Sequence, residues 1–235
     1  MMDRRRFLAL GGLSAAALIA EACDSRGPKS VLPALRWAER RNEGVERFLF
    51  RHTSMDHAAS ERLAGHRMPA YFVSSLPPVW NQARNGAWAL EVSGAVRKPL
   101  RLTLEDLGRL PLVTQRINHY CVEGWTASTQ FTGVRVSTLA RLAGLTPDAG
   151  YVDFQSFDDG YHESWDLDSA THPQTLVAFL REGKPLDALY GAPARVHSPV
   201  KLGYKNTKYL TKVVFMPHRN GGYWSDKGYE WYGGT

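Results

Sequence analysis

The stretch Asn118-His119-Tyr120-Cys121-Val122-Glu123-Gly124-Trp125 gathers the residue types best suited to chemistry in this chain. A cysteine at the end of a β-rich run, followed by a glycine turn, projects its sulfur from a fixed backbone. Three readings are open. The plainest is a small buried hydrophobe, the usual role of a lone cysteine. A second is a thiol nucleophile with His119 as base, since residues two apart on a strand share a face, although such a pair also needs a third group to orient the base. The third is a ligand to a soft or high-valent metal, which binds sulfur as the thiolate. Glu123 follows two positions later. If the segment stays extended, its carboxylate shares the face of Cys121 and can exchange protons there.

A second stretch runs from Gly191-Ala192-Pro193-Ala194-Arg195 into Gly203-Tyr204-Lys205-Asn206-Thr207-Lys208. Arg195, Lys201, Lys205 and Lys208 put four cations within 14 positions. Such a cluster suits a phosphate, because arginine binds it bidentately and lysine acts as a compact charge. Standing alone, the same stretch reads as a solvated basic hairpin. The third stretch, Phe50-Arg51-His52-Thr53, says little by composition.

These residues need a scaffold, and the pattern supplies one. Trp88, Leu90 and Val92 alternate with polar or small residues, predicting a half-buried strand that ends at Gly94. Thr103 is placed to cap a short helix at Leu104–Leu107, stopped before Pro111. Val113–Tyr120 reads as a strand and Val136–Ala143 as a helix closed by Gly144. Short strands are expected at Tyr151–Phe154, His162–Leu167, Leu176–Leu180, Ala194–Ser198 and Tyr209–Phe215. Leu35 to Arg47 predicts a first helix weakened by Gly44, and residues 51–71, without a clean period, read as an extended loop. Strands outnumber helices, so the expected class is α+β.

The chain has 235 residues, 43% hydrophobic and 22% charged, which fits a folded globular protein rather than a disordered one. Its formal net charge of +6 is modest over this length and gives no reason to expect a nucleic acid partner. Only Cys23 and Cys121 occur, which excludes a disulfide framework. The N-terminus carries Arg4, Arg5 and Arg6, then Phe-Leu and an apolar run to Ala20. About 12 apolar residues are too few for a bilayer span, which needs about 20. The pattern is that of an export signal of the twin-arginine type over residues 1–22, which directs folded proteins to the periplasm. Ala20-Glu21-Ala22 offers a cleavage site; the same residues before Cys23 also fit lipid attachment to that cysteine. A tether and first helix over 23–44 then lead into one domain over 45–235.

The order Cys-Val-Glu-Gly-Trp, Tyr-Val-x-Phe-x-Ser, Gly-Ala-Pro-x-Arg and Gly-Tyr-Lys-x-x-Lys resembles the molybdopterin-binding domain of the sulfite oxidase superfamily, in the branch typified by bacterial periplasmic methionine sulfoxide reductase catalytic subunits. The resemblance covers roughly residues 71–232. It implies a sulfite oxidase-like α+β fold around one molybdenum, held by one pterin dithiolene and one cysteine. On that analogy Cys121 is the metal ligand. Arg195, Asn206, Thr207 and Lys208 hold the pterin and its phosphate, with Ser156 and the backbone near Arg51 and His52 contributing. Tyr190 stands where the branch has asparagine, and the branch's long insertion after the Tyr-Val-x-Phe strand is missing. A single domain without the C-terminal immunoglobulin-like domain of true sulfite oxidases is expected. Those enzymes also follow the cysteine with an arginine-containing segment, where this chain has Glu123. A carboxylate there repels sulfite by about 1–4 kcal/mol at ~4 Å, depending on dielectric.

The expected function is therefore reductive removal of oxygen from a neutral S-oxide or N-oxide by a monomeric periplasmic enzyme, with Cys121 on the metal and Glu123 supplying or positioning a proton. No C-x-x-C-H haem motif or flavin fingerprint is present in the chain, so electrons come from outside, by analogy from a membrane haem protein. Sulfite-type oxidation, a non-catalytic pterin-binding protein and a metal-free Cys121 thiol enzyme are the alternatives. Replacing Arg4 and Arg5 by lysine is expected to hold the protein in the cytoplasm. Cell fractionation checks this, and periplasmic accumulation at the normal level would contradict it.

Overall fold

A computed structural model describes residues 32–50, 55, 68–158 and 160–235. Contacts divide the chain after Leu49. The first unit contributes helix α1 (Leu32–Leu49), which continues through Gly44 and carries an i,i+4 pair between Glu43 and Arg47 at 2.8 Å. None of the described helices is long and apolar enough to cross a membrane. The expected tether and most of the expected loop at 51–71 lie outside the described residues.

The second unit, from Phe50 onward, is built from two sheets. In chain order its elements are α2 (Gln82–Asn85), β1 (Leu90–Gly94), β2 (Leu100–Leu102), α3 (Leu104–Gly108), β3 (Leu112–Tyr120) and β4 (Thr126–Arg135). There follow α4 (Val136–Ala143), β5 (Tyr151–Ser156), β6 (His162–Asp166), α5 (Leu167–Ala170), β7 (Leu176–Arg181), β8 (Lys184–Pro185), β9 (Arg195–His197) and β10 (Leu210–Met216). The first sheet has the order β2-β1-β10-β5-β6, with β1 and β10 parallel. The second has the order β3-β4-β7-β8, and β9 pairs with β7.

Local sequence explains most of these elements. Leu90 and Val92 point into the core while Glu91 faces out, the alternation expected of a half-buried strand. Thr103 and Asp106 form a capping box on α3, satisfying two amides that a helix start leaves unpaired. In α4, Val136, Leu139, Ala140 and Ala143 fall on one face and are buried, and Gly144 closes the helix at φ 65°. That face joins Val92, Phe154, Trp165, Val177, Val196 and Val213 in a core drawn from both sheets. Full burial of each such aliphatic side chain stabilises by about 1.5–3 kcal/mol.

The sequence reading missed β4. This ten-residue strand reads Thr-Ala-Ser-Thr-Gln-Phe-Thr-Gly-Val-Arg and has no apolar alternation. It is central in its sheet, and Ser128, Thr129 and Thr132 are buried. Gly133 sits where β4 bulges against β7; a Cβ there would lie 2.0 Å from the Val177 carbonyl oxygen.

Two buried ion pairs tie the later chain to β6. Lys205 Nζ meets Glu163 Oε2 at 2.6 Å and Lys201 Nζ meets Asp166 Oδ1 at 3.0 Å, all four side chains being essentially inaccessible. Glu163 also accepts the Trp224 amide at 3.0 Å, and Lys201 donates to the Tyr232 carbonyl at 2.7 Å. The C-terminal segment is thereby fixed to the first sheet. Lys205→Met leaves Glu163 as an unpaired buried charge and is expected to cost about 3–5 kcal/mol of stability. Denaturant unfolding measures it; a loss below about 1 kcal/mol would show the pair to be dispensable.

Candidate active site

The β3–β4 hairpin presents Cys121. Strand β3 stops at Tyr120, and the turn closes with Cys121 N–H donating to the Trp125 carbonyl and Gly124 N–H to the Cys121 carbonyl, both at 3.0 Å. Gly124 takes φ +84°, a conformation that favours glycine. The turn overturns the expectation of an extended segment with Glu123 beside Cys121 on one face. Glu123 is exposed, and its Oε2 accepts from Tyr71 Oη at 3.0 Å and Trp125 Nε1 at 3.1 Å.

Cys121 opens onto a cavity of about 380 Å³. His119, Glu123, Ser156, Arg195, Asn206 and Lys208 also line it. Burial pushes the Cys121 thiol up, while the amides of Glu123 and Val122 pull it the other way. His119, fully enclosed, is lowered to about 3 by burial and by the charges of Arg195 and Lys208. A thiol shifted upward beside so weak a base lacks the activation that a cysteine nucleophile needs. The metal-free thiol reading loses its physical basis.

Opposite in character is the cationic part of the cavity. Arg195 is buried and lowered to about 10, chiefly by desolvation. Its guanidinium donates only to backbone carbonyls, of Val196 and Tyr190 at 3.2 Å and of Asn206 at 3.5 Å. Lys208 is lowered to about 7, first by burial and then by Arg195. No carboxylate among the described residues forms an ion pair with either. Gly191 makes room for this lysine, since a Cβ at Gly191 would lie 2.8 Å from Lys208 Cβ.

The other expected cofactor residues separate into distinct roles. Lys201 and Lys205, half of the basic cluster, are spent on Asp166 and Glu163. Asn206 lines the cavity, but its amide accepts from Ser198 N–H at 2.7 Å and donates to the carbonyls of Lys201 and Leu202. It shapes the loop. Thr207 is corrected outright: it is fully buried, its hydroxyl points to the Phe154 carbonyl at 3.5 Å, and it does not line the cavity. Ser156 lines the wall and accepts the Asp158 amide at 2.9 Å. Arg51 and His52 lie outside the described residues.

Several contributors had no sequence signal. Asp158 is buried and accepts the amides of Val73 and Ser74 at 2.7 and 3.0 Å, laying residues 71–73 along the cavity. Tyr190 Oη holds the Met68 carbonyl at 3.0 Å, and Trp224 and Tyr229 form another wall. Gly203 admits the His119 ring; a Cβ there would lie 2.6 Å from Nε2. The Gly-Tyr-Lys motif marked that glycine and the departure from asparagine marked Tyr190, whereas nothing marked Trp224 or Tyr229.

The donor set suits a group that combines a soft metal with an anion. Among the described residues no three His, Cys, Asp or Glu cluster to hold a metal unaided. A metal at Cys121 therefore takes its remaining ligands from a cofactor, and two carboxylate-free cations await an anionic portion. Comparison with known proteins gives the same chemistry. Residues 77–224 match the family described as the oxidoreductase molybdopterin binding domain, and the chain belongs to that family. It is a molybdopterin-dependent oxidoreductase.

A protein of Azospira oryzae provisionally named protein-methionine-sulfoxide reductase subunit YedZ1 is 37% identical over 98% of this chain and 86% of its own length. The protein-methionine-sulfoxide reductase catalytic subunit MsrP of Gluconobacter oxydans is 34% identical, over 56% of this chain and 47% of its own. The chain thus spans most of one relative and about half of the other. The sulfane dehydrogenase SoxCD of Paracoccus pantotrophus shares the fold, with a TM-score of 0.54 at 18% identity over 71% of this chain and 57% of that one.

Arg195→Ala is expected to lower molybdenum content severalfold after identical purification, because it removes a charge-assisted contact worth roughly 1.5–3 kcal/mol. Lys208→Ala acts in the same direction. Because Lys208 loses its proton near 7, inorganic pyrophosphate should bind the cofactor-free protein more weakly as pH rises from 6 to 9. Full metal content in both variants, with pH-independent pyrophosphate binding, would make this a solvated basic surface.

Proposed function

We propose that the protein reduces S-oxides, taking the oxygen of a methionine sulfoxide or a similar neutral oxide. The observation that carries this is the pairing of one thiol, Cys121, with the aromatic walls of the same cavity, formed by Trp125, Trp224 and Tyr229. Relatives named as methionine-sulfoxide reductase subunits support it. When bound, one molybdenum with one pterin supplies oxygen-atom transfer and the two-electron change that accompanies it.

The chain's own residues do the rest. Cys121 holds the metal from a turn whose hydrogen bonds fix its backbone, and Arg195 and Lys208 hold the phosphate. His119, neutral, tilted against Trp125 at 5.8 Å and stacked on His197 at 5.6 Å, packs the floor without adding charge. Trp125, Trp224 and Tyr229 exclude water and offer apolar area to an alkyl sulfoxide. Glu123 stands at the solvent side of this site, not in the enclosed setting that a tuned general acid requires. The two protons that turn the removed oxygen into water can reach the cavity from solvent. The periplasm is the proposed compartment, and a membrane haem protein is the proposed source of electrons for a monomeric catalytic subunit.

Cys121→Ser exchanges a soft ligand for a hard one. Reduction of methionine sulfoxide by viologen-reduced protein should collapse by several orders of magnitude, and the paramagnetic signal of the partly reduced metal should change. Wild-type turnover with an unchanged signal would remove Cys121 from the metal.

A further inference from the structure

The entrance to the cavity carries a fixed negative charge that the reaction does not use. Glu123 Oε2 is gripped by two donors, Tyr71 Oη at 3.0 Å and Trp125 Nε1 at 3.1 Å. The two rings lie nearly parallel, with centroids 6.3 Å apart and planes at 27°. Exposed carboxylates usually sample many rotamers, and holding one costs side-chain entropy. Here two hydrogen bonds from aromatic side chains, one of them 52 residues away in the chain, overcome that cost. Both donors engage Oε2, and no described residue donates to Oε1 or forms an ion pair with Glu123. The carboxylate keeps Oε1, half of its hydrogen-bonding capacity, for something else.

The surroundings sharpen the point. Of the charged side chains lining the cavity among the described residues, Asp158 and Arg195 are buried and Lys208 is half-buried. Only Glu123 is exposed. Asp158 is committed to the Val73 and Ser74 amides. The chain as a whole is positive, at +6, so its long-range field favours anions. Any preference for cations at this entrance must come from the local group. A carboxylate beside two aromatic faces is a good receiver for an ammonium or guanidinium, through ion pairing and cation–π attraction.

We propose that Glu123, held between Tyr71 and Trp125, makes the entrance selective for oxides carried beside a positive charge, such as an oxidised methionine flanked by lysine or arginine in a polypeptide. This rests on the reading of the cavity as an S-oxide site, and it makes Glu123 a specificity determinant rather than a proton donor.

The test uses the molybdenum-loaded full chain and three peptides that differ only in whether lysine, glutamine or glutamate flanks a single methionine. Calorimetry with the unoxidised thioether peptides reads binding without turnover. Wild-type protein should bind the lysine peptide about two- to fivefold more tightly than the glutamine peptide, the range of exposed ion pairs, and the glutamate peptide most weakly. About 0.5 M salt should erode the difference, since the Debye length then falls to a few Å. Glu123→Gln keeps both hydrogen bonds and should bring the lysine-to-glutamine ratio to about one. Tyr71→Phe loosens the carboxylate and should reduce the ratio part-way. Equal affinities in the wild type, or a ratio that survives in Glu123→Gln, would overturn the proposal. So would a Glu123→Gln variant that loses turnover equally on all three sulfoxide peptides with its binding ratio intact. Viologen-driven reduction of the sulfoxide forms by wild-type protein separates the two ideas. Turnover without charge preference defeats this inference alone, and failure to reduce any of the three defeats the S-oxide reading beneath it.

Discussion

Arg195 and Lys208 converge in one cavity and neither forms an ion pair among the described residues, since the nearby Asp158 is committed to the Val73 and Ser74 amides; the body of the protein is arranged around these two cations. Desolvation pulls both below their usual values, so holding the two cations here is electrostatically unfavourable by itself. It is tolerable because the surrounding structure over-determines it. Strand β9 carries Arg195 in the ladder with β7, and three backbone carbonyls receive the guanidinium. Gly191 admits the stem of Lys208, whose ammonium rests on the Leu189 carbonyl at 3.0 Å. An anion that binds here relieves a cost already built into the fold, which is how a site gains affinity from preorganisation.

The same logic explains why charge in this chain could not be apportioned from spacing. Lys201, Lys205 and Lys208 look equivalent in sequence, but the first two meet Asp166 and Glu163 on β6, some 35–42 positions away. Long-range pairing decides which cations remain for a ligand, and it leaves no local trace. Helix α4 and strand β1 were legible because their apolar period matches their burial. Strand β4 was not, since it is buried on both faces and mixes Ala127, Phe131 and Val134 with buried serine and threonine. Thr207 was misread for a related reason. Its motif position is shared with residues that face the cavity, yet the chain direction after Asn206 turns its side chain toward Phe154.

Glu123 shows where a motif stops informing. The Cys-Val-Glu-Gly-Trp order marked a cysteine that does line the cavity, but the glycine closed a turn and sent the carboxylate to the entrance. There its partners are Trp125, two positions on, and Tyr71, from a stretch with no pattern at all. Within one five-residue segment, the cysteine lines the cavity and the glutamate is exposed at its edge. A four-residue turn separates two tasks that an extended strand would have merged.

The attachment of the C-terminal segment to β6 has a consequence for how the enzyme matures. Trp224 and Tyr229 wall the cavity, and they are held there through Glu163 and the loop at Gly221 and Gly222. During synthesis these residues leave the ribosome after every other described part of the site. A nascent chain can assemble both sheets and present Cys121 while the pocket still lacks one side. The pocket gains its last wall only when residues through Tyr229 have been made and docked on β6.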